Sequence, residues 1–182
     1  MIDTDDIVIG QDSILYGSHV VDHIANNVKL KIFGGSLKVT GTVGRNVQIV
    51  QSFNANDASF CSLKFFCCSS GCCKYTKAVS DIGICVEGMV DSFVSMRSDG
   101  AIRACVINDN VTMNARGNIN ATSFGRSCKV DTLGGVFVTS VGSFTKLVAG
   151  DRISATYVDS YVNLLTTKDI IVKNTCEHIT LR

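Results

Sequence analysis

The densest run of reactive side chains in this 182-residue chain is Phe65-Phe66-Cys67-Cys68-Ser69-Ser70-Gly71-Cys72-Cys73-Lys74, with Cys61 just upstream. Cys67, Cys68, Cys72 and Cys73 bring four thiols into one short segment, and thiolates are good donors for zinc or copper(I). Structural zinc sites, however, space each cysteine pair by about two to four residues and draw the second pair from farther along the chain. Adjacent cysteines chelate poorly on a strand, where neighbouring side chains point to opposite faces. The same thiols lie beside two phenylalanines and Lys64, Lys74 and Lys77, which also resembles the setting of S-acylated cysteines at a membrane surface. The plainest reading divides them between small core fillers and exposed residues of an insertion.

Other constellations are thinner. His19 and His23 have the spacing that puts two metal ligands on one helix face, but their segment reads as strand or corner. Cys176 and His178 would share a strand face with Glu177 opposite, a thiol and imidazole with no acid to orient the ring. Lys129 and Lys146 form a small basic patch. No glycine-rich phosphate loop is present, and no pair of carboxylates recurs at a fixed position. These absences favour a non-enzymatic protein with no catalytic residues.

The scaffold that must carry these groups is legible in the composition. Hydrophobic residues make up 46% and charged residues 18%, the formal net charge is +1, and there are nine cysteines and no proline. That balance excludes a disordered polymer and a nucleic-acid binder driven by bulk positive charge, and the length suits one domain, residues 1–182. Met1-Ile2-Asp3-Thr4-Asp5-Asp6 is acidic where a secretory signal is basic and then apolar, so the expected location is cytoplasmic. Cysteines there are thiols or ligands, and the sequons at Asn110 and Asn120 are coincidental.

A 17-residue repeat dominates the C-terminal half. Ile102, Ile119, Val136, Ile153 and Ile170 are evenly spaced. Parallel columns run through Ala104, Ala121, Val138, Ala155 and Val172, and through Ile107, Phe124, Val141, Val158 and Thr175. Two more contain Val111, Cys128, Thr145, Val162 and Ile179, and Met113, Val130, Leu147, Leu164 and Leu181. Only Thr145 and Thr175 break the apolar rule, whereas Thr112, Lys129, Lys146, Asn163 and Thr180 form a wholly polar column. Apolar positions two apart have the strand period, and so short a unit has no room for a crossover helix. Short strands joined by corners at Gly117, Gly134, Asp151 and Lys168 make one coil of a single-stranded parallel β-helix, an all-β solenoid.

The period continues backwards less regularly. Ile84 and Val86 have slipped by one residue relative to the later coils, as a β-bulge would produce. Val20, Leu30 and Ile32 precede Leu37, Val47 and Ile49 by one period. Leu37 and Ile84 are 47 apart, which allots residues 53–80 an irregular coil and a cysteine-rich insertion, for about ten coils in all. Proline is absent because nearly every strand has neighbours on both sides, where a missing N–H breaks the ladder. Left-handed β-helix acyltransferases are the enzymatic rival, but their sixfold aliphatic repeat is missing, and no outward column is a uniform Thr, Asn or aromatic ladder.

Gly35-Ser36-Leu37-Lys38-Val39-Thr40-Gly41-Thr42-Val43-Gly44-Arg45-Asn46-Val47-Gln48-Ile49 and Gly117-Asn118-Ile119-Asn120-Ala121 resemble coils of bactofilins and related bacterial polymer-forming domains. The resemblance implies a right-handed, roughly triangular β-helix that polymerises end to end without nucleotide, often at a membrane. The chain departs from that group in lacking proline-rich tails and in carrying the cysteine cluster. Independently, solenoid ends are open sheet edges, and Ile170, Val172, Ile179 and Leu181 run in register close to the last residue. They are the expected self-association residues of a homo-oligomeric scaffold. The alternative is an interaction module whose insertion binds a protein, a metal or a membrane.

Overall fold

A computed structural model of the chain describes residues 7–52 and 82–182. These form nineteen short strands and no helix. Strands alternate between a nine-stranded and an eight-stranded sheet, with a two-stranded sheet at the N-terminal end, and all their pairings are parallel. Because each turn gives one strand to each large sheet, strands consecutive in sequence are not sheet neighbours. The result is a β-solenoid of about eight turns. At the usual strand separation its axis is roughly 35–40 Å long.

The 17-residue columns are rungs of these ladders. Ile102, Ile119, Val136, Ile153 and Ile170 are successive Cα partners. Met113, Val130, Leu147, Leu164 and Leu181 are another such series. In one representative coil, Ile119–Phe124 supplies a long strand and Lys129–Thr132 a short one. The long strand pairs through Ala121↔Val138 and resumes at Ser123↔Ser140, and this break at Thr122 turns it onto a second face. Ile119 and Phe124 nevertheless both point inward and are buried.

A sixth inward column, absent from the apolar pattern, runs through Gln51, Ser98, Ala115, Thr132 and Ala149. It lies where the short strand meets the corner, and its polar members hold the turn. Thr132 Oγ1 donates to the Gly117 carbonyl and accepts from Gly134 N at 3.2 Å. Ser98 Oγ donates to Gln51 Oε1 at 2.7 Å, while Gln51 Nε2 donates to the Gly35 carbonyl at 2.7 Å. Buried polar groups persist here because each has a partner. The same rule admits Thr145 to an apolar column: its hydroxyl donates to Gly125 O at 3.0 Å and accepts from Cys128 N at 3.2 Å.

Three register expectations need correction. Leu37 pairs directly with Ile84, and Val39 with Val86, so no coil lies between these rungs and the count is about eight, not ten. Two N-terminal steps are longer than one period, since Leu30 pairs with Ile49 and His19, not Val20, pairs with Leu37, whereas Ser13 pairs with Leu30 at the full period and Val8 with His23 short of it. The Leu30 slip is two residues, which leaves every side chain on its original face and is therefore silent in an apolar count. The expected bulge is present, as a register shift between Ala104 and Val106 opposite Val86 and Met89. Gly88 lies in that shift, and a Cβ there would sit 2.1 Å from the Gly41 carbonyl oxygen.

Candidate functional site

The terminal rung consists of Ile170–Thr175 and Thr180–Leu181, each paired on one side only. Ile170, Val172 and Ile179 pack against the core but stay partly accessible, whereas their counterparts one rung below, Ile153, Ala155 and Val162, are buried. Leu181 is 53% exposed and Leu164 beneath it is fully covered. The four residues expected to mediate self-association are thus brought together on one apolar edge. Among the described residues nothing covers it.

A corner column crosses the body and ends at this edge. Asn27, Asn46, Phe93, Asn110, Ser127, Phe144, Tyr161 and His178 all have φ between 57° and 62°. This left-handed conformation costs a non-glycine residue about 1–2 kcal/mol. Part of the cost is recovered because each coil's corner N–H bonds the next, as in Asn110 N to Arg126 O and Ser127 N to Ser143 O, both at 2.9 Å. Asn46 Nδ2 also donates to Asn27 Oδ1 at 2.9 Å. Toward the C-terminal end rings replace amides. Phe144 and Tyr161 stack at 5.2 Å, Tyr161 and His178 at 4.7 Å, and the Arg126 guanidinium lies 5.6 Å from the Phe144 centroid. A local aromatic stack therefore exists where the sequence suggested none, and its last exposed member is His178.

This corner also holds most of the perturbed titrating groups. Ser143 Oγ donates to Asp159 Oδ2 at 2.6 Å, Ser160 N donates to Asp159 Oδ1 at 2.7 Å, and these bonds lower the Asp159 pKa. Asp91 is lowered chiefly by the Ser92 amide, with help from Asn108 and Arg45. Tyr157 Oη and Cys176 Sγ, 2.9 Å apart, share a hydrogen bond that raises the Tyr157 pKa. On the neighbouring corner, Lys168 lies 2.7 Å from Asp151 and lowers its pKa, and Arg152 pairs with Asp169 at 3.0 Å.

Other sequence candidates separate. Cys176 and His178 do not share a strand face: the chain turns after Thr175, so the thiol meets Tyr157 while the imidazole stacks on Tyr161. His19 Nε2 contacts Tyr16 O at 2.9 Å and His23 Nδ1 contacts Thr42, so each ring is engaged elsewhere. Cys128 is core as expected, and burial pushes its thiol pKa up. Cys61, Cys67, Cys68, Cys72 and Cys73 lie outside the described residues, as does the insertion. A groove of about 280 Å³ on the eight-stranded sheet is lined by Arg103, Asn120, Phe137, Thr139, Arg152 and Ser154 among others, and no carboxylate, imidazole or thiol joins them.

Rungs stacked in parallel about 17 residues apart, with apolar ladders running up the interior, define the class: a parallel β-solenoid repeat protein. Compared with family models, curated proteins and solved structures, the chain has no match. The β-helix architecture is shown, and no family match supports bactofilins specifically.

Proposed function

We propose that the protein is a non-enzymatic structural scaffold whose copies associate through their solenoid ends, as bactofilin-like domains do. The observation that carries this reading is the terminal rung, where Ile170, Val172, Ile179 and Leu181 continue the core ladders to an accessible edge. A further rung stacked there would extend each ladder and satisfy the unpaired backbone groups of the edge strands. Such an assembly needs no zinc or other cofactor and suits a cytoplasmic protein; no helix of the described residues is long and apolar enough to cross a membrane. Light scattering and negative-stain microscopy across a concentration series test it, with particle mass expected to rise with concentration. A strictly monomeric particle at high concentration removes the scaffold reading.

The second reading, an interaction module, draws on the seam between Leu37 and Ile84. Those rungs are adjacent although 47 residues apart, and the cysteines fall between them in sequence. On that reading Cys67, Cys68, Cys72 and Cys73 contact a protein, metal or membrane. Elemental analysis of the reduced protein decides the metal version.

A further inference from the structure

The nine-stranded sheet turns two straight ladders of side chains outward. One contains Lys29, Lys129 and Lys146 among Gln48, Ser95, Thr112, Asn163 and Thr180. The other contains Lys31 and Arg97 with Asn114, Asp131 and four aliphatic residues, Ile14, Val50, Val148 and Leu165. Five exposed cations therefore face Asp131 within the ladders and Asp12 at the N-terminal end of the first, where its Oδ1 accepts from the Lys29 amide at 2.7 Å. None makes an ion pair among the described residues. The corresponding ladder of the eight-stranded sheet carries only Lys38 and Arg103, and Lys38 is paired with Glu87 at 3.1 Å.

This concentration is not a consequence of bulk charge, since the whole chain is only +1. The left-handed corner is mixed instead, with Asp91, Asp109, Asp159 and Glu177 interleaved with Arg45 and Arg126. Lys129 and Lys146 are direct partners on adjacent strands, about 4.8 Å apart and well inside the Debye length at physiological salt. Like charges in that position repel, and an anionic surface laid against them removes the repulsion.

We infer that this sheet face docks on an anionic lipid surface. The choice over a nucleic acid follows from what accompanies the cations. The two ladders hold no aromatic residue on which a base could stack, and only Arg97 offers the forked guanidinium suited to phosphates and base edges. They do hold exposed Ile14 and half-buried Val50, Val148 and Leu165, whose methyl groups suit the boundary between headgroups and acyl chains. The face extends over nine strands, roughly 40 Å of side chains all projecting from one side of the sheet. Docking this way uses the side of the solenoid, leaves the ends free, and does not depend on self-association.

The test is co-sedimentation of the full chain with phosphatidylcholine vesicles, with and without phosphatidylserine. Binding is expected only with the anionic lipid and is expected to weaken as salt rises. Each lysine near such a surface is worth about fivefold in affinity, so replacing both Lys129→Gln and Lys146→Gln should weaken binding about thirtyfold. Lys173→Gln, on a different face, should bind as the parent does, and circular dichroism checks that every variant is folded. The inference is overturned by equal binding to neutral vesicles, by no binding to either, by a double variant that binds undiminished, or by tighter binding to duplex DNA or RNA than to anionic vesicles.

Discussion

Placing a carboxylate on the terminal rung gives the sharpest test of end-to-end assembly, because the same substitution weighs differently on the fold and on the contact. Leu181 is 53% exposed, so about half of the 1.5–3 kcal/mol available from burying a leucine is already realised in the single chain. Leu181→Asp should therefore cost the fold about 1 kcal/mol, a fall in Tm of about 2–4 °C. At a stacked end the variant forfeits the other half, about 1 kcal/mol, and must also bury a charge at an effective cost of several kcal/mol. Taking about 3 kcal/mol for that charge, the contact loses about 4 kcal/mol, or roughly a thousandfold in association constant. If two copies meet through the same end, the aspartate enters twice and the loss approaches a millionfold; a head-to-tail contact loses only the single factor. Sedimentation velocity across a concentration series, beside thermal melting, measures both sides. A Leu181→Asp variant that assembles with parental affinity, or that loses its fold with its assembly, would refute the reasoning.

Three further outcomes follow from the interior and the corners. Ser98→Ala leaves Gln51 Oε1 buried without its donor and should destabilise the chain by about 1–3 kcal/mol in urea titration; a neutral effect would mean the pair does not hold the seam. Gly88→Ala drives a Cβ toward the Gly41 carbonyl and should cost about 1–3 kcal/mol or more, whereas Gly10→Ala, with open space around its Cβ, should not. Asp159 has a folded pKa below that of the unfolded chain, so its stabilising contribution is present above about pH 4 and lost as pH falls through the folded value. Asp159→Asn should accordingly be less stable than the parent at neutral pH, with the difference closing in acid; a gap that does not narrow as pH falls contradicts the assignment.

The repeat was readable because five inward positions hold Ile, Val, Leu, Met, Ala and Phe in coil after coil, as at Ile119 and Phe124. The sixth was not, because its members share no hydropathy. Ser98 and Thr132 bond the turn, Ala115 and Ala149 only fill it, and Ile32 and Gln51 continue the same ladder. The left-handed corner was hidden for a similar reason: Asn27, Asn46 and Asn110 hint at it, but Phe93, Phe144, Tyr161 and His178 occupy the same conformation through contacts between coils. The basic face was half legible. Lys129 and Lys146 showed as neighbours, while Lys29, Lys31 and Arg97 joined them only once the 19-residue step from Leu30 to Ile49 and the 47-residue step from Gln48 to Ser95 were known.

That 47-residue step exceeds one coil by thirty residues, yet Leu37 and Ile84 remain partners. Rungs of such a stack contact only their neighbours, so the extra residues between these two ask no distant coil to adjust. The seam is thus a grafting point: a segment exchanged there for another of similar length, a fluorophore or an epitope, leaves the stack above and below with its partners unchanged.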